Sequence, residues 1–337
     1  MKLSIIVPVY NMAGDGKLNF CLDSLINQDI KDYEIITVND ASTDNSLEVL
    51  NCYAAKYPDL VKVISYSDNR HQGGARNEGI RHAQGDWIGF IDSDDWISPD
   101  FYSKLISKGE ETGADVVGCN YSIVSEHTYT VGEIDENPFS DCTGILDEAK
   151  HKFLFANPGS MVIKVYRRNL IIDNNLSFPE HIFYEDNAAA PLWSLYFKHF
   201  EFINEPLYYY YQHSSSTVHT ITEERSRNRL QACNILLKEM KERGLYESYK
   251  TELEAIFINL YLVNTLFGYM INCPRKRFGF VLEIKKGMLE AFPDFLCNPA
   301  FEAIKDEEEK RMVRLLIKNS LLFYYCYRFI WFVRRLR

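Results

Sequence analysis

The stretch Trp87-Ile88-Gly89-Phe90-Ile91-Asp92-Ser93-Asp94-Asp95-Trp96 passes directly from apolar residues into three carboxylates within four positions. The apolar part, residues 86–91, reads as a strand buried on both faces. Three like charges at the mouth of a buried strand repel one another. Sealing them from water unpaired would cost several kcal/mol or force protonation. A divalent cation removes that cost, and hard oxygen ligands suit Mg²⁺ or Mn²⁺.

Further apolar runs lie at residues 3–7, 33–39, 61–66 and 115–121. Amphipathic stretches at 17–28, 45–57, 74–83 and 99–113 separate them, the last with Pro99 at its first turn and Gly113 just past its end. Strand–helix alternation with short connections predicts an α/β fold, a mostly parallel sheet flanked by helices. Ligands of such sheets bind beyond the carboxyl ends of the strands. Residues 121–220 are irregular, with a strand candidate at 161–166 and an aromatic run at 207–211. From Glu223 onward the pattern is helical, with breaks near Gly244, Pro274, Pro293 and Pro299. The expected organisation is a catalytic domain over 1–220, with a nucleotide-binding half (1–120) and an acceptor half (121–220). A helical region follows over 221–337, ending in a basic aromatic tail, 310–337.

The residues that follow each apolar run carry the chemistry. Val7-Pro8-Val9-Tyr10-Asn11 ends the first, where Pro8 removes a ladder donor and is expected to end strand pairing. The second ends at Asp40, placed to accept hydrogen bonds from a base or ribose; Asp44 reads as a helix cap. After the third come Asp68, Asn69 and Arg70, then Gly73-Gly74-Ala75-Arg76-Asn77-Glu78-Gly79. Paired glycines opening a helix let backbone N–H groups approach a phosphate, and Arg76 is expected in the first helical turn. Further on, Glu185 and Asp186 precede a helical run; they read either as dipole-favoured capping residues or as a general base with its support. His213, before Ser214-Ser215-Ser216-Thr217, reads either as structural or as part of a metal or pyrophosphate shell.

Taken in order, VPVYN, VNDASTDNS, DN with GGARNEGI, FIDSDDW and YEDN resemble the family 2 glycosyltransferases of the GT-A fold. The match is dense over residues 1–120 and sparse over 160–220. The resemblance implies a Rossmann-like GT-A sheet and a nucleotide-sugar pocket lined by Pro8, Tyr10, Asp40, Asp68, Asn69, Gly74, Arg76, Asp92 and Ser93. Asp40 would read the base, Arg76 would neighbour the diphosphate and Asp92 would face the ribose. Asp94, with His213, would hold Mn²⁺ or Mg²⁺. Asp186 would be the catalytic base with Glu185 supporting it. The implied reaction is inverting transfer from a nucleotide diphosphate sugar, UDP-sugar first, to an acceptor hydroxyl on a glycan or lipid-linked acceptor, in cell-surface polysaccharide or glycolipid biosynthesis. Met12–Lys17 departs from the family pattern by lengthening the loop after VPVYN.

Competing readings are a binding module that holds a nucleotide sugar without transfer, a nucleotidyltransferase and a nicotinamide-dependent dehydrogenase. The retained Asp92, Asp94 and Asp186 argue against the first. The Glu185-Asp186 pair is unexplained in the second, and the third lacks Gly-x-Gly-x-x-Gly after its first strand.

A net charge of −10 argues against a nucleic-acid partner. Yet residues 310–337 hold eight Lys/Arg and no acid. An apolar aromatic run, 321–333, would reach about 20 Å as a helix, short of a hydrocarbon core of about 30 Å. Peripheral contact with an anionic leaflet or packing on protein are both open for it. Eight scattered cysteines without Cys-x-x-Cys, and strand-like residues from Leu3, predict free thiols, no secretory leader and a cytoplasmic protein at the inner membrane face.

Overall fold

Seven consecutive buried residues, Leu3–Val9, form β1. It pairs in parallel with β2 (Tyr33–Asp40), which pairs with β3 (Val61–Tyr66), and on its other side with β4 (Trp87–Phe90). The computed structural model describes residues 1–212 and 221–335, and the chain divides into two compact units, Met1–Ser215 and Ser216–Arg337.

The remaining strands of the first unit are β5 (Trp96–Ile97), β6 (Val116–Val124), β7 (Glu133–Asp135), β8 (Gly144–Ile145), β9 (Lys164–Arg167) and β10 (His199–Tyr211). The sheet order is β3-β2-β1-β4-β9-β6-β10-β5, with β7 beside β6 and β8 beside β10. The expected parallel pairing holds across β1 to β4, and the sheet is mixed beyond them. β9 lies antiparallel between β4 and β6, so the run at 115–121 is not the neighbour of 86–91. Apolar runs specify burial; the connections decide strand direction. β10 is longer than the aromatic run alone, and its register against β6 shifts around Pro206. A bulge is where a proline fits into a paired strand.

Helices α1 (Lys17–Ile26), α2 (Ser46–Lys56), α3 (His71–His82) and α4 (Phe101–Thr112) fill the connections of the first half. Glycines decide how closely two of them approach the sheet. A Cβ on Gly79 of α3 would lie 2.3 Å from Ile6, and one on Gly89 of β4 would lie 2.5 Å from the Tyr102 ring of α4. Ile6 is in register with Phe90, the neighbour of Gly89. Successive strand residues face opposite ways, so α3 and α4 cover opposite faces. Pro99 precedes the Asp100 cap of α4 rather than opening the helix, and Gly113 ends it at φ +75°. Then come α5 (Glu148–Ala156), α6 (Arg168–Asp173) and α7 (Asp186–Ser194). Trp193 of α7 and Phe178 pack on Phe90, on the α3 side.

The second unit is helical: α8 (Glu223–Glu242), α9 (Tyr246–Ile256), a π-helical stretch Phe257–Asn264, α10 (Thr265–Asn272), α11 (Phe278–Ala291), α12 (Pro299–Glu302), α13 (Glu307–Lys318) and α14 (Ser320–Arg335). Gly244 sits at φ +71° after α8, Pro274 and Pro293 follow the ends of α10 and α11, and Pro299 opens α12. Tyr246–Asn272 is long and apolar enough to cross a membrane, but most of it is buried inside the unit.

Candidate active site

The carboxyl ends of β1, β2, β3 and β4 converge with the loop before α7. After β1, Tyr10 is 46% exposed and Asn11 takes the left-handed conformation at φ 54°. The loop it opens is laced to the one after β2. Asn11 Oδ1 accepts from Thr43 N at 2.8 Å, and Asn11 N donates to Ser42 Oγ at 3.0 Å. Asp44 accepts from Ala13 N at 3.0 Å and from Ser46 N at 2.9 Å, so it holds the start of α2 from one residue outside the cap. Pro8 does not end pairing altogether. It stays in register with Val38 of β2, and only the pairing with β4 stops, at Ile6. The lengthened loop folds as a 3₁₀ turn, Gly14–Gly16.

Asp40 is buried, and its Oδ1 accepts from Arg70 N at 2.7 Å. Burial raises its pKa above the ordinary carboxylate value. Asn69 Nδ2 donates to the Asp40 carbonyl at 3.1 Å, while Asp68 is exposed. These contacts join the ends of β2 and β3.

α3 begins at His71, which adopts φ 59°, so Arg76 falls in the second turn, not the first. Gly73 and Gly74 sit where side chains cannot: a Cβ on Gly73 would lie 1.9 Å from the Pro179 carbonyl oxygen, and one on Gly74 2.2 Å from Arg70 Cβ. Gly73 therefore lets the segment before α7 close onto α3. Asn77, which sequence reasoning left without a role, clamps the same segment. Its amide donates to Phe178 O at 2.9 Å and Glu180 Oε1 at 3.0 Å, and its Oδ1 accepts from Phe178 N at 2.9 Å.

Arg76 is the hub. Buried over the Phe178 ring, it donates Nη1 to Glu185 Oε1 at 2.6 Å and Nη2 to Asp92 Oδ1 at 2.7 Å. Burial opposes its charge, but Asp92, Glu185 and Asp186 outweigh that and raise its pKa. Burial pushes Glu185 up to about 7 despite Arg76, and the charge of Asp186 adds to the shift. Asp92 is raised as well, by burial first, with Arg76 opposing and Asp94 adding. Ser93 is buried and Asp94 half-buried. Asp95 turns inward: Oδ2 accepts from Tyr208 OH at 2.5 Å and Oδ1 from Tyr211 N at 2.9 Å, and burial holds its pKa well above the usual carboxylate range. Tyr208, hidden within an aromatic run, is a second residue the sequence did not single out. Asp186, next to buried Glu185, is exposed at the first position of α7, and its charge reaches Asp92 and Arg76. The structure thus brings together Arg76, Asp92, Glu185 and Asp186. His213 lies outside the described residues.

A cation suits this acidic loop. Burial and mutual repulsion raise the pKa values of Asp92 and Asp95, a penalty that a bound divalent ion would relieve. Among the described residues no three potential ligands form a closed cage. Mg²⁺ is commonly held by one or two carboxylates plus substrate phosphates, so Asp94 with a diphosphate fits its requirements.

Residues 4–171 match the model of Glycosyl transferase family 2. The provisionally named glycosyltransferase EpsH of Bacillus subtilis is 33% identical over 268 residues, covering 76% of this chain and 74% of its own. The chain belongs to glycosyltransferase family 2. A poly(ribitol-phosphate) beta-glucosyltransferase of Bacillus spizizenii is 29% identical over 77% of this glycosyltransferase, a stretch that makes up only 40% of that longer relative. The crystal structure of Staphylococcus aureus TarS residues 1–349 with UDP-GlcNAc superimposes on 97% of the enzyme and 90% of that chain. Its TM-score is 0.66 at 21% identity, which supports the GT-A fold.

Proposed function

We propose that this glycosyltransferase moves a sugar from a nucleoside diphosphate donor, UDP-sugar first, to an acceptor hydroxyl with inversion, using Mn²⁺ or Mg²⁺. One observation carries the reading: Arg76 ties the acidic loop after β4 to the Glu185-Asp186 corner. Buried Glu185 is thereby fixed, and its neighbour Asp186 is left exposed beside the loop. An exposed carboxylate on a rigid helix start is suited to take the proton of an incoming hydroxyl. A single base facing a single displacement inverts the anomeric centre, and no second nucleophile is required. Tyr10, Asp40, Asp68 and Asn69 form the nucleoside side of the pocket, with Pro8 shaping the loop beneath Tyr10. Gly74 sits near the diphosphate, and Asp92 and Ser93 lie towards the ribose. Asp94, with His213, would hold the metal. A bound divalent cation would supply positive charge against the departing diphosphate.

The Bacillus spizizenii relative named for poly(ribitol-phosphate) transfer supports an acceptor in cell-surface polysaccharide, with a lipid-linked glycan as the alternative acceptor. Eight free thiols fit a reducing cytoplasm. The test is a panel of nucleotide sugars screened for donor hydrolysis with Mn²⁺, which needs no acceptor. Hydrolysis of one UDP-sugar that stops on chelation and returns with Mn²⁺ or Mg²⁺ is expected. Undiminished turnover after exhaustive metal removal would refute the metal role.

A further inference from the structure

The last helix, α14, has two faces of different character. Phe323, Tyr324 and Tyr327 are buried; Phe323 and Tyr327 pack on Phe267 of α10, and Tyr324 packs on Phe278 of α11. Tyr324 OH also donates to the Lys276 carbonyl at 2.8 Å. The opposite arc presents Leu321, Leu322, Tyr325, Phe329 and Phe332, each between 49% and 67% exposed. At 100° per residue these five fall within one sector about 100° wide. No other element of the described residues gathers so many exposed large apolar side chains; those elsewhere are scattered over loops and separate elements. An apolar stripe so concentrated marks a contact surface.

Charge identifies the partner. Arg314 and Arg334 are neutralised by Glu302 and Glu308. Exposed Lys318 lies just before the helix and exposed Arg328 on the edge of the stripe; neither has a carboxylate partner among the described residues. Two copies meeting through this arc would bring these cations together. An anionic leaflet attracts them while accepting the aliphatic and aromatic side chains at headgroup depth. The 16 residues of the helix reach about 24 Å, and one face is already held against α10 and α11, which suits a helix lying along a surface.

We propose that α14 lies in the plane of an anionic membrane surface, with Leu321, Leu322, Tyr325, Phe329 and Phe332 immersed and Lys318 and Arg328 on the headgroups. This inference does not depend on the transfer reaction. The test uses the full chain in co-sedimentation with phosphatidylglycerol–phosphatidylcholine vesicles and with phosphatidylcholine alone. The expected result is binding to the anionic vesicles that weakens with salt, and a loss of about tenfold or more in partitioning for Tyr325→Ser/Phe329→Ser/Phe332→Ser. Lys318→Glu/Arg328→Glu should lose the preference for anionic lipid while keeping the fold. All these side chains are exposed, so far-ultraviolet circular dichroism should not change. Equal vesicle binding by the triple variant overturns the proposal. So does a salt-insensitive wild-type dimer in sedimentation velocity that becomes monomeric in the triple variant, since the stripe would then join two copies.

Discussion

Arg76 and Glu185 stand 109 residues apart in the chain and meet at 2.6 Å, both sealed from solvent. The pair locks the second turn of α3 to the start of α7, and Asp92 on the other guanidinium nitrogen brings in the end of β4. A buried ion pair of this kind adds little net stability compared with an apolar pair. Breaking one side of it is expensive.

Arg76→Met should therefore cost about 3–5 kcal/mol of stability, because Glu185 and Asp92 are left without their shared cation. Adding Glu185→Gln should recover part of that loss, since it removes one of the two stranded charges. Urea denaturation of both variants measures the difference. Identical midpoints would show that the two side chains are not energetically linked.

Asp186→Asn should separate catalysis from folding. The side chain is exposed and, among the described residues, accepts a hydrogen bond from the Asn187 amide at 2.9 Å, so stability should hardly change. Removal of a general base should lower transfer by about 10²–10⁴-fold while donor binding persists. A transfer rate equal to that of the wild type, with a matched acceptor, would take Asp186 out of the base role.

The first four strands and their carboxyl ends were legible because burial on both faces leaves unbroken apolar runs. Carboxylates and glycines at the ends of such runs stand out against them. The partner of Arg76 was not legible. The sequence places the arginine among glycines, where a phosphate is the natural expectation, and Glu185 comes near only through folding. For the same reason Gly73 reads as a phosphate turn although its neighbour is the Pro179 carbonyl. Tyr208 is one tyrosine in a run of four, and only the register of β10 beside β5 aims it at Asp95. β9 was found as a strand, but its insertion between β4 and β6 depends on chain direction, which apolarity does not encode.

Lys164, buried on β9, offers a pH-dependent test away from the reaction centre. Its Nζ donates to Pro158 O at 2.9 Å and Ser160 O at 2.5 Å, no carboxylate pairs with it among the described residues, and burial lowers its pKa to about 7. The ordinary lysine value is 10.5, so between these limits the unfolded chain binds a proton that the native chain has released. Stability from this group is fully present above the unfolded value and is lost as pH falls through about 7. The slope is at most about 1.4 kcal/mol per pH unit. Lys164→Met should abolish that slope. The wild-type advantage over the variant should grow from pH 7 to pH 10 in denaturant titrations, and a difference independent of pH would disprove the shift.

Gly73→Ala tests whether the glycine turn serves packing or only ligand approach. A methyl group there would sit 1.9 Å from a backbone carbonyl oxygen of Pro179 and 3.2 Å from Glu185 Cγ. Backbone cannot rotate away as a side-chain end can, so the segment before α7 must move off α3. Overpacking of this sort costs about 1–3 kcal/mol. The displacement also strains the bonds from Asn77 to Phe178 and Glu180 and the Arg76–Glu185 contact, because all hold the same segment. Transfer should fall sharply while the donor Kd changes little, since the nucleoside end proposed for the pocket, at Tyr10 and Asp40, lies on other loops. A substitution that instead weakens donor binding in proportion to its loss of transfer, with stability unaltered, would mean that Gly73 serves the diphosphate directly and that the packing account of this turn is wrong.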